Sequence, residues 1–203
     1  MSQAEKEIIS VLRAAIGKKY VLTDQQSLEF YSMDVYRSFE IPIAVVQPGS
    51  VEELQEVVRV ATGLGMAIVV RGGGASYTDG YLPTTPKSIT IDTSRLNKIV
   101  EINEEDMFVT VESGVTWAEM AAALAEKNLR TPFWGPFSGL KATIGGSSSQ
   151  NSLSMGTSAY GGSPESILCY DIVLPSGEIL KTGSSSMENS SAFFRHYGPD
   201  LTG

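Results

Sequence analysis

The residues of this sequence best suited to chemistry are Arg71, Gly72, Gly73, Gly74, Ala75 and Ser76. Glycine loses more backbone freedom on folding than any other residue, so an ordered run of three calls for a compensating role. With no Cβ in the way, successive amides can converge on an anion and form a nest that holds phosphate without a lysine. Arg71 would add a charge and Ser76 a hydroxyl. A tight turn at a strand end is the competing reading, and the glycines alone do not decide between the two. Two familiar phosphate loops fail here. A Walker loop needs Gly-Lys-Ser/Thr after its spacer, and the Rossmann fingerprint needs Gly-x-Gly-x-x-Gly opening a helix. Residues 77–86 contain Gly80, Pro83 and Pro86 and do not continue as a helix.

A second concentration of glycine and serine runs over residues 135–162. Such composition also suits a flexible linker or a surface loop. Against a linker, Phe137, Leu140, Ile144, Leu153, Met155 and Tyr160 are spread through it. A strand hairpin is predicted to follow, over 167–174 and 178–181 around Pro175, Ser176, Gly177 and Glu178. A loop of this length inside a domain is more often functional than idle.

The elements that must position these loops alternate between helix and strand. Ile8, Ile9, Leu12 and Ile16 recur at helical spacing over residues 5–16, and Gly17 follows as a stop. Residues 23–39 mix aromatic and acidic side chains without a period. Residues 41–46 read as a short strand whose start, at Pro42, lies near an edge. Ser50 with Glu53 makes a capping box for a helix carrying Val51, Leu54, Val57, Val58 and Ala61 on one face, ended by Gly63 and Gly65. Residues 66–70, an unbroken apolar run, predict a strand buried on both faces that leads straight into the glycine loop. Residues 88–92 predict a further strand, and 98–103 with 107–112 a hairpin. Thr116 with Glu119 forms a second capping box for an alanine-rich helix to about residue 127.

Composition bounds the function classes. A chain of 203 residues, 42% hydrophobic and 19% charged, is globular and large enough to bury a core without disulfides or metal. Its single cysteine, Cys169, excludes an intramolecular disulfide and reads as a small buried hydrophobe in a strand. The formal charge of −8, from 15 Lys+Arg against 23 Asp+Glu, works against non-specific binding to nucleic acid or anionic membranes. The polar start and the absence of a long apolar run predict neither a signal peptide nor a membrane span, so a cytoplasmic location is expected.

Taken in order, Pro48-Gly49-Ser50-Val51-Glu52-Glu53, Arg71-Gly72-Gly73-Gly74-Ala75-Ser76, Ala142-Thr143-Ile144-Gly145-Gly146, Tyr160-Gly161 and Val173-Leu174-Pro175-Ser176-Gly177-Glu178 carry a family resemblance. Together they resemble the FAD-binding domain shared by p-cresol methylhydroxylase and vanillyl-alcohol oxidase. The likeness is strongest to the branch holding glycolate oxidase, D-lactate dehydrogenase and D-2-hydroxyglutarate dehydrogenase. It implies an α+β fold of two α/β lobes, a small parallel βαβ lobe (41–96, after a helical lead-in over 1–40) and a larger, mostly antiparallel lobe (97–203), with FAD between them. By the same resemblance Gly72, Gly73, Gly74, Ala75 and Ser76 would bind the diphosphate through their amides, next to the charge that Arg71 could add. Thr143, Gly145 and Gly146 would close over the diphosphate and ribityl side, with Ser149 among the polar residues that follow them, and Tyr160 and Gly161 would lie near the isoalloxazine or its chain. The residues agree with that assignment, since Gly145-Gly146 offers a second close backbone approach and residues 147–151 offer neutral donors and acceptors suited to a polyol and a diphosphate.

Some relatives link the flavin through a histidine where this sequence has Ala75, so non-covalent FAD is expected. The one histidine, His196, reads as a surface or packing residue. The resemblance further implies that the sequence beyond a segment like residues 197–203, including a substrate or cap domain, is missing from this chain. The parent protein is then expected to oxidise a small 2-hydroxy acid or related alcohol, passing a hydride to flavin N5. An FAD-binding electron-transfer module or subunit whose partner carries the substrate site, and a reductase like the one that makes UDP-N-acetylmuramate, are the alternatives.

Overall fold

Ser2 opens the first helix: its hydroxyl accepts from the amide of Glu5, and the Glu5 carboxylate accepts from the amide of Ser2. That reciprocal cap satisfies two of the amides a helix start leaves free. The computed structural model describes residues 2–132, 135–190, 192–197 and 199–202. It divides into two units, Met1–Leu96 with Pro175–Glu178, and Asn97–Leu174 with Ile179–Gly203.

In the first unit, α1 (Gln3–Ile16) ends at Gly17, whose φ of 87° is open to glycine at little strain. A short strand β1 (Val21–Leu22) and a helix α2 (Gln25–Tyr31) follow. Asp24 caps α2 by accepting from the amide of Ser27, so the stretch without a period does hold a helix. Then come β2 (Ala44–Val46), α3 (Val51–Gly63), β3 (Ala67–Arg71) and β4 (Ser88–Asp92). At the start of α3 only half of the predicted capping box forms. Ser50 accepts from the Glu53 amide, while the Glu53 carboxylate reaches past Ser50 to the amide of Gly49 at 2.7 Å and to Arg95 at 3.4 Å.

The four strands form one sheet in the order β1-β2-β4-β3, with β2, β4 and β3 parallel and β1 antiparallel to β2. The strand predicted to be buried on both faces, β3, is in fact an edge strand, and Val70 on it is 55% exposed. β4 takes the centre instead, and all five of its residues, Ser88, Thr90 and Asp92 included, are buried. An apolar run marks a strand but not its place in the sheet, because the later strand slots between β2 and β3. Ile9, Leu12 and Ile16 of α1 and Val57, Val58 and Ala61 of α3 are buried with Val45, Val46, Ile89 and Ile91, forming the core.

The second unit is built on two antiparallel hairpins, β5 (Ile99–Asn103) with β6 (Phe108–Val111) and β7 (Asp171–Val173) with β8 (Ile179–Lys181). The helix α4 (Trp117–Ala125) has the predicted reciprocal cap between Thr116 and Glu119. Its Trp117, Met120 and Leu124 form a buried cluster with Val115, against which Ile99, Ile102, Val109, Val111 and Ile144 pack. Within residues 135–162 lie two short helices, α5 (Ile144–Ser149) and α6 (Thr157–Tyr160). The apolar residues that argued against a linker there are mostly at the surface: Phe137 is 94%, Leu140 81% and Leu153 75% exposed, and only Ile144 joins the cluster. Composition marks apolar residues without saying what covers them. The mixture of a parallel sheet in one unit and antiparallel hairpins in the other is the α+β architecture expected from the sequence. Among the described residues no helix is long and apolar enough to cross a membrane.

Candidate functional site

The glycine loop emerges from the end of β3, and its underside is tightly built. Arg71 is buried, and its Nη1 donates to the carbonyl oxygens of Met33 and Phe30 at 2.9 and 3.2 Å. Its guanidinium also lies within reach of three aromatic faces, those of Tyr81, Phe30 and Tyr31 at 4.8, 4.9 and 5.1 Å. Burial works against its charge, and the carbonyls and ring faces offset that desolvation. Sequence alone aims Arg71 at an anion; the structure folds it under the loop. Its backbone carbonyl accepts from the amide of Thr93, tying the loop's origin to the segment after β4.

Gly74 needs to be glycine for two reasons. Its φ is 63°, and a Cβ there would stand 2.6 Å from Arg71 Nη2. The phenol of Tyr81 lies 2.9 Å from the carbonyl oxygen of Gly74 and 3.0 Å from that of Ser76, sharing its proton between them. Ser76 itself pairs with Thr78 through their hydroxyls at 2.9 Å. Among the described residues, the amides of residues 72–77 have no hydrogen-bond partner. A partly exposed loop with consecutive unclaimed N–H groups and one left-handed residue is the chemistry of an anion nest.

The second cluster behaves differently. Thr143 caps α5 by accepting from the amide of Gly146 at 3.2 Å. The amides of Ile144 and Gly145 donate to the carbonyls of Val115 and Ser113 at 2.8 and 2.9 Å. The three amides that open α5 are therefore spent inside the chain. Gly145 is indeed a point of close backbone approach, but the neighbour is Ser113: a Cβ on Gly145 would stand 2.6 Å from Ser113 Cβ and 2.8 Å from its carbonyl oxygen. Ser147 accepts from the indole N–H of Trp117 at 2.8 Å, and the hydroxyls of Ser148 and Ser149 donate back to Ile144 and Gly145 at 2.8 Å. What the hydroxyls of Ser148 and Ser149 keep for a ligand is acceptor capacity. Tyr160 is half exposed with Arg130 Nη2 at 3.4 Å from its hydroxyl, and Gly161 follows with a φ of 82°.

The remaining candidates lie at the surface or the rim. Cys169 precedes β7 instead of lying in it, is only partly buried, and has its sulfur 3.8 Å from the Phe194 carbonyl. The His196 side chain is 80% exposed, 3.9 Å from Asp200. In the family-like segment 197–203, Gly198 and Gly203 lie outside the described residues. Among the described residues no group of His, Cys, Asp and Glu is arranged to hold a metal. Tyr81, Phe30 and Tyr31, which shape the glycine loop, were not legible as site residues. The one available signal was an aromatic residue, Tyr81, set in a Gly- and Pro-rich segment where a solvent-exposed loop has no need of one.

Comparison with known proteins gives these loops a context. The family of FAD binding domains matches residues 42–183. D-2-hydroxyglutarate dehydrogenase of Xanthomonas citri pv. viticola is 31% identical over 187 residues, covering 91% of this chain and 39% of that protein. Glycolate oxidase subunit GlcD of Bacillus subtilis is 29% identical, covering 80% of this chain and 34% of that protein. The crystal structure of p-cresol methylhydroxylase with substrate bound superposes with a TM-score of 0.82 at 24% identity, over 99% of this chain and 40% of the other, and shares the fold. The chain thus spans about two fifths of the length of such relatives.

Proposed function

The chain belongs to the FAD binding domain family, and on that premise we propose that it is the cofactor-holding part of an oxidoreductase that oxidises a small 2-hydroxy acid or related alcohol. The observation that carries this reading is the glycine loop, whose amides over 72–77 have no partner among the described residues while its carbonyls and its arginine are held from beneath. The names of the relatives, a 2-hydroxy-acid dehydrogenase and a glycolate oxidase among them, support the substrate class.

In this proposal the backbone N–H groups of Gly72, Gly73, Gly74, Ala75 and Ser76 hold the diphosphate of FAD. Such a nest needs no basic side chain, which agrees with an arginine turned inward. Thr143, Gly145, Gly146 and Ser149 shape the ribityl side by their small size and their acceptor lone pairs, since the amides of residues 144–146 are already committed. Tyr160 and Gly161 lie along the isoalloxazine or its chain. Ala75 offers no atom for a covalent link, so the flavin is held non-covalently. When bound, the flavin supplies a two-electron acceptor, with N5 taking the hydride. The proposal leaves substrate binding to a further domain or a partner subunit, for which the greater length of the relatives leaves room, passes the electrons on to a separate acceptor, and includes a cytoplasmic setting.

The test is Gly73→Val in the full-length protein. A branched side chain in the middle of the nest blocks approach of the diphosphate, so the purified variant is expected to lose the flavin absorbance of the parent while melting at the temperature of the flavin-stripped parent. Flavin content equal to that of the parent overturns the loop assignment. Bleaching of the parent's flavin by a panel of 2-hydroxy acids, absent with simple alkanes, tests the substrate class.

A further inference from the structure

We propose that Tyr81 is a positioning residue that presets the glycine loop for the diphosphate, turning the N–H groups of Ala75 and Tyr77 outward by gripping the carbonyls of Gly74 and Ser76. The inference rests on the FAD reading above and adds to it a residue outside the family-like motif.

A trans peptide points its C=O and its N–H in opposite directions across one plane. The Gly74 carbonyl shares its plane with the Ala75 amide, and the Ser76 carbonyl shares its plane with the Tyr77 amide. Tyr81 holds both carbonyls with one phenol, at 2.9 and 3.0 Å. The amides of Ala75 and Tyr77 must then face away from Tyr81. Both lack a partner among the described residues. The phenol that makes the grip is itself fixed. Tyr81 is only 6% exposed, and its ring lies against the Arg71 guanidinium, which is held in turn by the Phe30 and Met33 carbonyls and the Phe30 and Tyr31 rings. The same guanidinium fills the space a side chain on Gly74 would take, so the left-handed turn at Gly74 is backed by a rigid surface. Tyr81 therefore acts on the ligand through the backbone. Its hydroxyl is spent on carbonyls, and its effect is to remove the entropy the loop would otherwise lose on binding.

The experiment uses the full-length protein with Tyr81→Phe, which keeps the ring against Arg71 and removes only the grip. Binding of FAD, ADP and riboflavin to the apoprotein is measured by fluorescence or calorimetry, alongside the melting temperature. FAD and ADP, which carry the diphosphate, are expected to bind about tenfold more weakly, and riboflavin, which lacks it, unchanged. In the FAD-saturated variant the amides of Ala75 and Tyr77 are expected to exchange hydrogen faster than in the parent. Replacing Tyr81 with p-aminophenylalanine restores an N–H donor at the same place and should recover diphosphate affinity. Equal FAD and ADP affinity in Tyr81→Phe and the parent, or an equal loss of riboflavin affinity, overturns the inference. Should Tyr81→Phe fail to fold, failure of the p-aminophenylalanine variant to match the parent's diphosphate affinity overturns it. A parent that binds neither FAD nor ADP overturns the FAD reading itself, which is a distinct result.

Discussion

Replacing Gly145 with alanine tests whether the paired glycines of α5 serve the chain's own packing before any ligand. The new Cβ would stand 2.6 Å from Ser113 Cβ, 2.8 Å from the Ser113 carbonyl oxygen and 3.1 Å from its Cα. Two of those atoms are backbone and cannot swing aside. Relieving the overlap means moving α5 off the turn after β6, at an overpacking cost of about 1–3 kcal/mol. It also stretches the bond from the Gly145 amide to the Ser113 carbonyl, now 2.9 Å, worth about 1 kcal/mol. Summed, the loss is about 3 kcal/mol, which for a chain of this size lowers the melting temperature by about 6–12 °C. Gly146→Ala is the matched control. Its Cβ meets only the Thr143 hydroxyl at 3.1 Å, and alanine improves helix propensity by up to about 1 kcal/mol, so its melting temperature should stay within about 2 °C of the parent. Scanning calorimetry of both variants without flavin settles the matter. Equal melting temperatures for the two would refute the packing argument and return Gly145 to a purely ligand-facing role.

Other consequences follow from single contacts. The Tyr31 phenol is pushed above its ordinary value of 10.0, first by burial and then by its 2.6 Å bond to Asp92. Because the folded state keeps that proton to higher pH than the unfolded state, its stabilisation is complete below about pH 10 and fades as pH rises beyond it. The melting temperature should therefore fall above pH 10, and Tyr31→Phe should flatten that fall; identical pH profiles would count against it. Trp117→Phe removes the 2.8 Å bond from the indole to Ser147 inside the second unit's core, and a drop of about 3–6 °C is expected from a loss of about 1.5 kcal/mol. An unchanged melting temperature would show that bond to be replaceable.

Local signals in the sequence carry most of the helices. Ser50, Thr116 and Gly17 mark helix ends because a cap is a transaction among residues three or four apart. Asp24 was an equally good cap for α2, obscured by the missing apolar period of a seven-residue helix that buries none of its side chains. The hairpin of β5 and β6 was legible for the same reason, since its register is set by a short connection.

The motif itself was also determined by the sequence: three glycines after a strand allow a backbone nest, and the family's blocks in order identify the cofactor. What tertiary structure alone decided is where each element faces. The central place of β4, the edge position of β3, the inward fold of Arg71, the grip of Tyr81 on the loop and the approach of Gly145 to Ser113 all join residues distant in sequence or across a turn. Propensity and periodicity report on a residue's neighbours along the chain. Whether an amide is free for a ligand or already spent depends on which distant carbonyl folding brings against it, and that separates the amides of residues 72–77 from those of residues 144–146.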